Sequence, residues 1–321
     1  MPSPKKTPSP PDLSDIAGLV ARMRAGERRA LSRVVTELER FSAAAPRLLQ
    51  ALEPHLGRAL IVGFTGPPGA GKSTLVNAYT AHARRVGQSV GIIAVDPSSP
   101  ISGGAILGDR IRMTATLDDD GVFMRSLASR GHSGGLCPAA VRVIDALDAA
   151  GKELILIETV GTGQSEIDVA EIADVRVLVT APGLGDDIQA MKAGLIDVVD
   201  VVVVNKADCA GADRTAHQLR QALSLRARAS CEVPVLKTTA TTGEGLDALE
   251  RAVVKISASR GADGARERRR RRARYLIAHA AAERLARRVK ESGGGRLDQL
   301  ADAVLSGTVS AEDAAARLLE D

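Results

Sequence analysis

One glycine-rich segment combines the residue types that hold a phosphate group. The apolar run Leu60–Phe64 leads to Gly66, Pro67, Pro68, Gly69, Ala70, Gly71, Lys72, Ser73 and Thr74. This order fits the G-x-x-x-x-G-K-[ST] pattern between a predicted strand and a predicted helix. Glycine lets backbone N–H groups turn inward around a phosphate, Lys72 brings positive charge to the outer phosphates, and Ser73 offers a hydroxyl to Mg²⁺. The segment therefore predicts a site for nucleotide phosphates.

A second motif predicts which base the nucleotide carries. The residues Asn205, Lys206, Ala207 and Asp208 follow an apolar run. In this arrangement the Asp208 carboxylate can accept two hydrogen bonds from guanine, and adenine offers no such donor pair, so adenine would leave the carboxylate unpaired. Thr239 and Ala240 follow the last predicted strand, where GTPases usually have Ser-Ala against the guanine oxygen; they are a weaker match. The expected ligands are GTP and GDP rather than ATP.

Three acidic residues lie at the ends of predicted strands or in a nearby loop. Asp96 and Glu158 each close a strand, and Asp109 lies in the glycine-rich stretch 103–110. Ligands of open α/β sheets bind beyond the carboxyl ends of the strands, and Mg²⁺ prefers oxygen ligands. We therefore assign these carboxylates, with Ser73, to Mg²⁺ and the hydrolytic centre, and leave open which of them bind the ion directly. Helix capping or turn formation is the alternative for Asp96 and Asp109.

The segment after Glu158 predicts slow intrinsic hydrolysis. Glu158 begins a Glu-Thr-Val-Gly161 sequence, the position of the acidic residue and glycine that sense Mg²⁺ and γ-phosphate in many P-loop GTPases. The glutamine of Ras-like enzymes would stand two residues after Gly161, and a glycine stands there instead. The attacking water would then be positioned by Asp96, Asp109, Lys192 or a partner protein.

Short β-branched runs alternate with helical stretches from Leu60 onward, as in a parallel sheet wrapped by crossover helices. The predicted strands are 60–64, 90–95, 121–125, 154–157, 175–180, 199–204 and 233–237, and the predicted helices between them are near 73–85, 137–149, 165–172, 214–228 and 246–256. The fold class is therefore α/β: a mainly parallel P-loop NTPase sheet flanked by helices, with an N-terminal helical extension and a C-terminal helical arm.

The composition divides the chain into four predicted parts. These are a disordered tail at 1–11, the helical extension at 12–58, the P-loop domain at 59–258 and the helical arm at 259–321. Within these, a linker is predicted at 257–264 and a long basic helix at about 265–291. The first twelve residues carry five prolines and no apolar run, which excludes a secretory signal.

Hydropathy and cysteine content predict a cytoplasmic protein. No stretch approaches the ~18 consecutive apolar residues of a membrane-spanning helix. The three cysteines are isolated, which argues against a disulfide framework or a structural zinc site and fits a reducing compartment.

The charge and the aromatic content disfavour nucleic acid as a partner. Aromatic residues make up 2% of the chain and tryptophan is absent. The chain therefore has few of the aromatic rings on which nucleic-acid-binding proteins stack bases. Much of the net charge of +4 comes from the arginines at 268–272. Consecutive arginines surround a helix, so we expect a solvated arm or one paired with acidic residues of a partner. A patch for nucleic acid is the alternative interpretation of the run 266–274.

With these residues in hand, the chain resembles the methylmalonyl-CoA mutase-associated GTPases of the MeaB/ArgK type, over about residues 15–319. The resemblance rests on several blocks besides the phosphate loop: 94–100, 103–109, 129–131, 157–161, 185–192 and 205–208.

The resemblance implies a GTP-dependent chaperone of an adenosylcobalamin-dependent acyl-CoA mutase. Methylmalonyl-CoA mutase is the first candidate, and ethylmalonyl- and isobutyryl-type mutases are the alternatives. Such proteins gate cofactor loading from the adenosyltransferase and protect or reactivate the mutase. The stretch 183–192 resembles a mobile loop that couples nucleotide state to the mutase, with Gln189 and Lys192 as its reporters. The C-terminal helices resemble the dimerisation arm of the family, which implies a homodimer.

Two other functions use the same core. A metal-insertion chaperone of the nickel type would be expected to carry a His-rich tail or a Cys/His cluster, and the five histidines here are scattered. An ArgK-type kinase would need a site for an acceptor substrate, and no motif identifies one.

Overall fold

The computed structural model describes residues 15–96, 119–128, 138–159, 169, 171–184, 198–224, 233–260, 263–291 and 295–319. The chain divides into two compact units, of which the first ends at Arg272 and the second begins at Ala273.

A seven-stranded parallel sheet forms the centre of the first unit. Its strand order is β3-β2-β4-β1-β5-β6-β7, and every pairing between neighbours is parallel. The strands are β1 (Leu60–Thr65), β2 (Val90–Asp96), β3 (Val122–Ala128), β4 (Leu154–Thr159), β5 (Val175–Thr180), β6 (Val201–Val204) and β7 (Val235–Lys237). The inner strands are Val-, Ile- and Leu-rich and buried, as expected for a sheet covered on both faces. The predicted fold class is confirmed.

Helices cover the sheet and extend the chain at both ends. They are α1 (Ile16–Arg24), α2 (Arg28–Glu39), α3 (Ala45–Leu52), α4 (Lys72–Arg85), α5 (Pro138–Ala149), α6 (Ala212–Ser224), α7 (Leu246–Ser259), α8 (Asp263–Glu291), α9 (Arg296–Leu305) and α10 (Ala311–Leu319). The predicted linker at 257–264 is wrong at both ends, because α7 runs through Ser259 and α8 begins at Asp263. Helix α8 crosses the boundary between the two units.

The N-terminal helices pack on the helix that follows β3. Helices α2 and α3 contact α5, and their buried faces carry Val34, Leu38 and Leu48. The guanidinium of Arg28 donates to the carbonyl of Val122, 3.0 Å away, and thereby ties α2 to the edge of the sheet.

The arginine run at the start of α8 does not form a solvated face in the first unit. Arg272 is only 5% exposed. Arg268 Nε lies 2.8 Å from the buried carboxylate of Asp174, and Arg271 donates to the carbonyl of Ala173 at 2.9 Å. The predicted solvated arm is therefore wrong for these three arginines, whereas Arg270 is exposed.

The arginine run contacts the carboxylate of Asp174, which directly precedes β5. This residue therefore lies at the amino ends of the strands, whereas the phosphate loop lies at their carboxyl ends. It accepts a hydrogen bond from Ile61 N at 3.0 Å, and its own N–H donates to Ile61 O at 2.8 Å. Burial raises the pKa of Asp174, and the charges of Arg268 and Arg272 offset part of that rise. The first turns of α8 are thus held to the sheet by ion pairs with low exposure to solvent.

In the second unit, α9, α10 and the end of α8 enclose an apolar groove. Its lining includes Leu285, Val289, Leu297, Leu300, Val304 and Leu318. No helix among the residues described here is long and apolar enough to cross a membrane.

Candidate functional site

The glycine-rich loop connects β1 to α4 and has the backbone that its glycines permit. Gly66, Gly69 and Gly71 have φ values of 138°, 80° and 84°. A Cβ at Gly66 would lie 2.0 Å from the carbonyl oxygen of Val179, and one at Gly71 would lie 2.5 Å from Asn205 Nδ2. Both positions therefore require glycine for lack of space as well as for the left-handed backbone. The loop precedes α4, whose N-terminus adds partial positive charge.

Two lysines direct their charges onto this loop. The buried ammonium of Lys72 donates to Gly66 O at 2.7 Å and to Pro67 O at 3.0 Å. From the other side, Lys206 Nζ donates to Gly69 O at 2.8 Å. An ammonium group has three donors and no acceptor, so both lysines can transfer hydrogen bonds from these carbonyls to phosphate oxygens.

A hydroxyl and a carboxylate meet beside the loop. Ser73 Oγ donates to Glu158 Oε1 at 2.6 Å, and Glu158 is buried near the end of β4. The pairing of β4 with β1 sets Glu158 opposite Phe64, two residues before Gly66. These two oxygen donors have the chemistry that Mg²⁺ requires, so the pair fits this ion.

Asn205 joins the phosphate loop to the loops that would read the base. Its Nδ2 donates to Ala70 O at 3.0 Å, and its Oδ1 accepts from Thr238 Oγ1 at 3.1 Å and from Ala240 N at 3.2 Å. The buried amide thereby uses both of its ends to hold three loops at one edge of the sheet. Asp208 lies exposed in the turn after β6, where its carboxylate is accessible to a ligand.

Comparison with known proteins agrees with this geometry. The family model described as methylmalonyl Co-A mutase-associated GTPase MeaB matches residues 28–293. The chain belongs to this family. The matched stretch begins at α2 and includes the phosphate loop, the base-reading motif and all of α8. As a member of the MeaB family with a complete phosphate loop, the chain is a GTPase.

Named relatives extend over most of the chain. A protein of Pyrococcus horikoshii named as a GTPase is 48% identical over 241 residues, which cover 74% of this chain and 76% of the relative. The GTPase ArgK of Escherichia coli is 38% identical over 258 residues, 78% of each protein. The crystal structure of a LAO/AO transport system kinase superposes with a TM-score of 0.77 at 27% identity, covering 97% of this chain and 99% of that one.

The predicted site residues fall into two groups. The structure brings together the loop 66–74, Glu158, the 205–208 motif, Thr239 and Ala240 at the carboxyl edge of the sheet. Asp109, Gly161, Gln189 and Lys192 lie outside the described residues, as does the side chain of Asp96, whose backbone closes β2.

Three contacts of the site were missed at the sequence level. The sequence motif assigned Asn205 and Lys206 to the base, but both also bind carbonyls of the phosphate loop. Thr238, whose hydroxyl donates to Asn205, was not among the assigned site residues. A hydroxyl residue directly after the last strand is the signal that could have identified it.

Proposed function

We propose that this GTPase is a G-protein chaperone of an adenosylcobalamin-dependent acyl-CoA mutase, with methylmalonyl-CoA mutase as the first candidate. The observation that carries the proposal is the match of the MeaB family model, whose description names the mutase, across residues 28–293. In this role the nucleotide state gates loading of the cofactor into the mutase and protects or reactivates the enzyme. The adenosyltransferase that supplies the cofactor is a further candidate partner.

The nucleotide cycle follows from the chemistry of the loop residues. We propose that Lys72 stabilises charge on the outer phosphates, and that Ser73 and Glu158, with Asp96 and Asp109, hold Mg²⁺. Mg²⁺, when bound, would neutralise charge that develops on the phosphate oxygens. Ser73 and Glu158 bind each other at 2.6 Å, so the hydroxyl and the carboxylate already lie together where they would hold the ion. Asp96, Asp109, Lys192 and a partner protein are the candidates for orienting the water.

The exposed carboxylate of Asp208 would select guanine. Asp208 would accept from the ring N–H and the exocyclic amine, while Thr239 and Ala240 would lie near the base oxygen. Ala240 N donates to Asn205, which supports a base site whose position is tied to the phosphate loop. GTP and GDP are the nucleotides proposed for this site.

We further propose that the chain acts in the cytoplasm as a homodimer, with the helical arm as the dimerisation element. The apolar groove of the second unit supports this assignment, because apolar residues such as Leu297 and Leu300 line a surface that a second copy would cover.

Hydrolysis assays with the mutases of the same organism test the proposal. We expect the purified chain to hydrolyse GTP slowly, to ignore ATP, and to be accelerated by one adenosylcobalamin-dependent acyl-CoA mutase. Lys72→Ala should abolish turnover, whereas the exposed Lys255→Ala is the matched control and should not. GTP turnover that no mutase changes would contradict the chaperone role but leave the GTPase intact. A labelled γ-phosphate on a second protein would instead favour a kinase.

A further inference from the structure

The last turn of α4 carries a histidine that faces two carboxylates of α7. His82 Nε2 lies 2.6 Å from Glu250 Oε2 and 3.7 Å from Asp247 Oδ1. The imidazole is 9% exposed, Glu250 is 30% exposed and Asp247 is 79% exposed. His82 stands ten residues after Lys72 on a helix, so this cluster lies about 15 Å from the phosphate loop along the helix axis. It is not part of the nucleotide site.

The three possible metal ligands lie on two helices, His82 on α4 and the two carboxylates on α7. Asp247 and Glu250 are three positions apart on α7, so they share one face of that helix. His82 is fixed by burial and by its stacking on the ring of Tyr79, with ring centroids 6.3 Å apart. The three ligand atoms would be one buried nitrogen and two carboxylate oxygens. Asp247 is open to solvent, which leaves room for a water molecule as a fourth ligand.

This donor set favours a transition metal of the zinc class over Mg²⁺. Imidazole suits Zn²⁺ and Ni²⁺, whereas Mg²⁺ prefers oxygen ligands alone. Tetrahedral zinc has ligand bonds of about 2.0–2.1 Å, which places any two ligand atoms about 3.3 Å apart. The two distances from His82 Nε2, 2.6 Å and 3.7 Å, lie on either side of that value. Small rotations of Glu250 and Asp247 would therefore suffice.

We propose that His82, Asp247 and Glu250 form a binding site for a divalent transition-metal ion of the zinc class. The sequence does not reveal this site, because His82 and Glu250 are 168 positions apart. The bound ion would link α4, which begins at the phosphate loop, to α7, which begins just after the base-reading loop. It would therefore stabilise the pair of helices that follow the two nucleotide-binding loops.

Arg85 selects the imidazole tautomer that the ion must change. The guanidinium nitrogen Nη2 of Arg85 lies 2.9 Å from His82 Nδ1. Arginine can only donate, so Nδ1 accepts and the single imidazole proton lies on Nε2, directed at Glu250. Binding of the ion at Nε2 requires this proton to move to Nδ1 and Arg85 to turn away. Arg85 thus competes with the metal, and its removal should strengthen binding.

Zinc titration of the full-length chain tests the site. The chain is saturated with Mg²⁺ and GDP, and binding of Zn²⁺ is measured by competition with a chromophoric indicator and by the shift in thermal unfolding. We expect one equivalent that is lost in His82→Gln and in the near-isosteric Glu250→Gln. His217→Gln is the matched control, since His217 is an exposed helical histidine, and it should retain that equivalent.

The Arg85 variant separates a metal site from nonspecific binding to surface carboxylates. Arg85→Gln offers Nδ1–H an acceptor, so the affinity for Zn²⁺ should rise about tenfold, as expected for an outer partner of a metal-bound histidine. The same rise should be absent when Arg85→Gln is combined with His82→Gln. Zinc binding that persists in both His82→Gln and Glu250→Gln, or no stoichiometric binding by the unaltered chain, would overturn the proposal. Neither outcome bears on GTP hydrolysis.

Discussion

Replacing Asp145 by Asn should stabilise the protein at neutral pH, although it removes a charge that faces arginines. Asp145 lies on α5, and its burial raises its pKa from 3.8 to about 6. Arg272, Arg269 and Arg142 lower the pKa and Asp148 raises it, but burial outweighs the arginines. Compared with the unfolded chain, the folded protein therefore favours the neutral form of the Asp145 carboxyl group over the ionised form. Asparagine has a similar shape and carries no charge, so it imitates that neutral form.

The size and the sign follow from the two pKa values. One pKa unit corresponds to about 1.4 kcal/mol, so ionised Asp145 lowers the free energy of unfolding by at most about 3 kcal/mol. Between pH 3.8 and about 6 the folded state binds more protons than the unfolded state, so stability falls as pH rises through that window. Asp145→Asn should remove this fall. Its free energy of unfolding should exceed that of the parent by about 2–3 kcal/mol at neutral pH and by little near pH 4.

Pulse proteolysis across a urea series is the assay, with peptides of β1 and β4 quantified so that the first unit alone is followed. Asp148→Asn is the matched control one turn along α5. Asp148 accepts hydrogen bonds from the N–H groups of Gly57, Arg58 and Ala59 at 2.5, 3.0 and 3.0 Å, so its replacement should destabilise by about 2–4 kcal/mol. If Asp145→Asn destabilises equally at both pH values, attraction to the arginines outweighs burial and the reasoning is refuted.

Three further outcomes are expected. Ser73→Ala should weaken Mg²⁺-dependent GTP binding by about 1–3 kcal/mol and leave Mg²⁺-free GDP binding unchanged, as calorimetry with and without the ion would reveal. Asp208→Asn should weaken GDP binding by about 3 kcal/mol, because the amide oxygen can accept from only one of the two guanine donors and the NH2 group faces the other; equal affinity would remove the base-reading assignment. Arg268→Gln should destabilise the first unit by about 3 kcal/mol, since Asp174 loses an ion pair inside the protein, whereas the exposed Arg270→Gln should stay within about 0.5 kcal/mol in the same urea assay.

The sheet could be predicted because the local sequence of each strand indicates a buried parallel strand. Runs such as 175–180 and 201–204 are short, β-branched and continuous, and such runs favour buried parallel strands wherever they occur. The bounds of β3 were less accurate: 121–125 was predicted and Val122–Ala128 is observed. Its last residues are held by pairing with β2, a contact that local sequence does not encode.

The environment of the arginine run could not be predicted, because its partners are distant in sequence. Arg268 forms an ion pair with Asp174, which lies directly before β5 and 94 positions before Arg268 in the chain. Helical periodicity indicates that arginines surround α8, but it cannot indicate which face meets a carboxylate. The same holds for His82 and Glu250, whose contact depends on how α4 and α7 pack.

The phosphate loop was predicted residue by residue, because its function depends on local backbone geometry. The glycines at 66 and 71 and the lysine that follows are needed at fixed spacing, so one short motif specifies them. The role of Asn205 as a connector between loops depends instead on the approach of three segments in space. Such a role becomes visible only in the folded protein.

The central position of β1 has a consequence for synthesis of the chain. Strand β1 precedes every other strand of this sheet in the chain, yet its two neighbours, β4 and β5, are made much later. Ile61 and its partner Asp174 are 113 residues apart, which corresponds to about 6–23 s of translation. Both edges of this apolar strand are unpaired until β4 is made, and the edge that pairs with β5 stays unpaired until the end of that interval. Nascent chains that stop before β5 should therefore aggregate or bind general folding chaperones, whereas chains released after β7 should not.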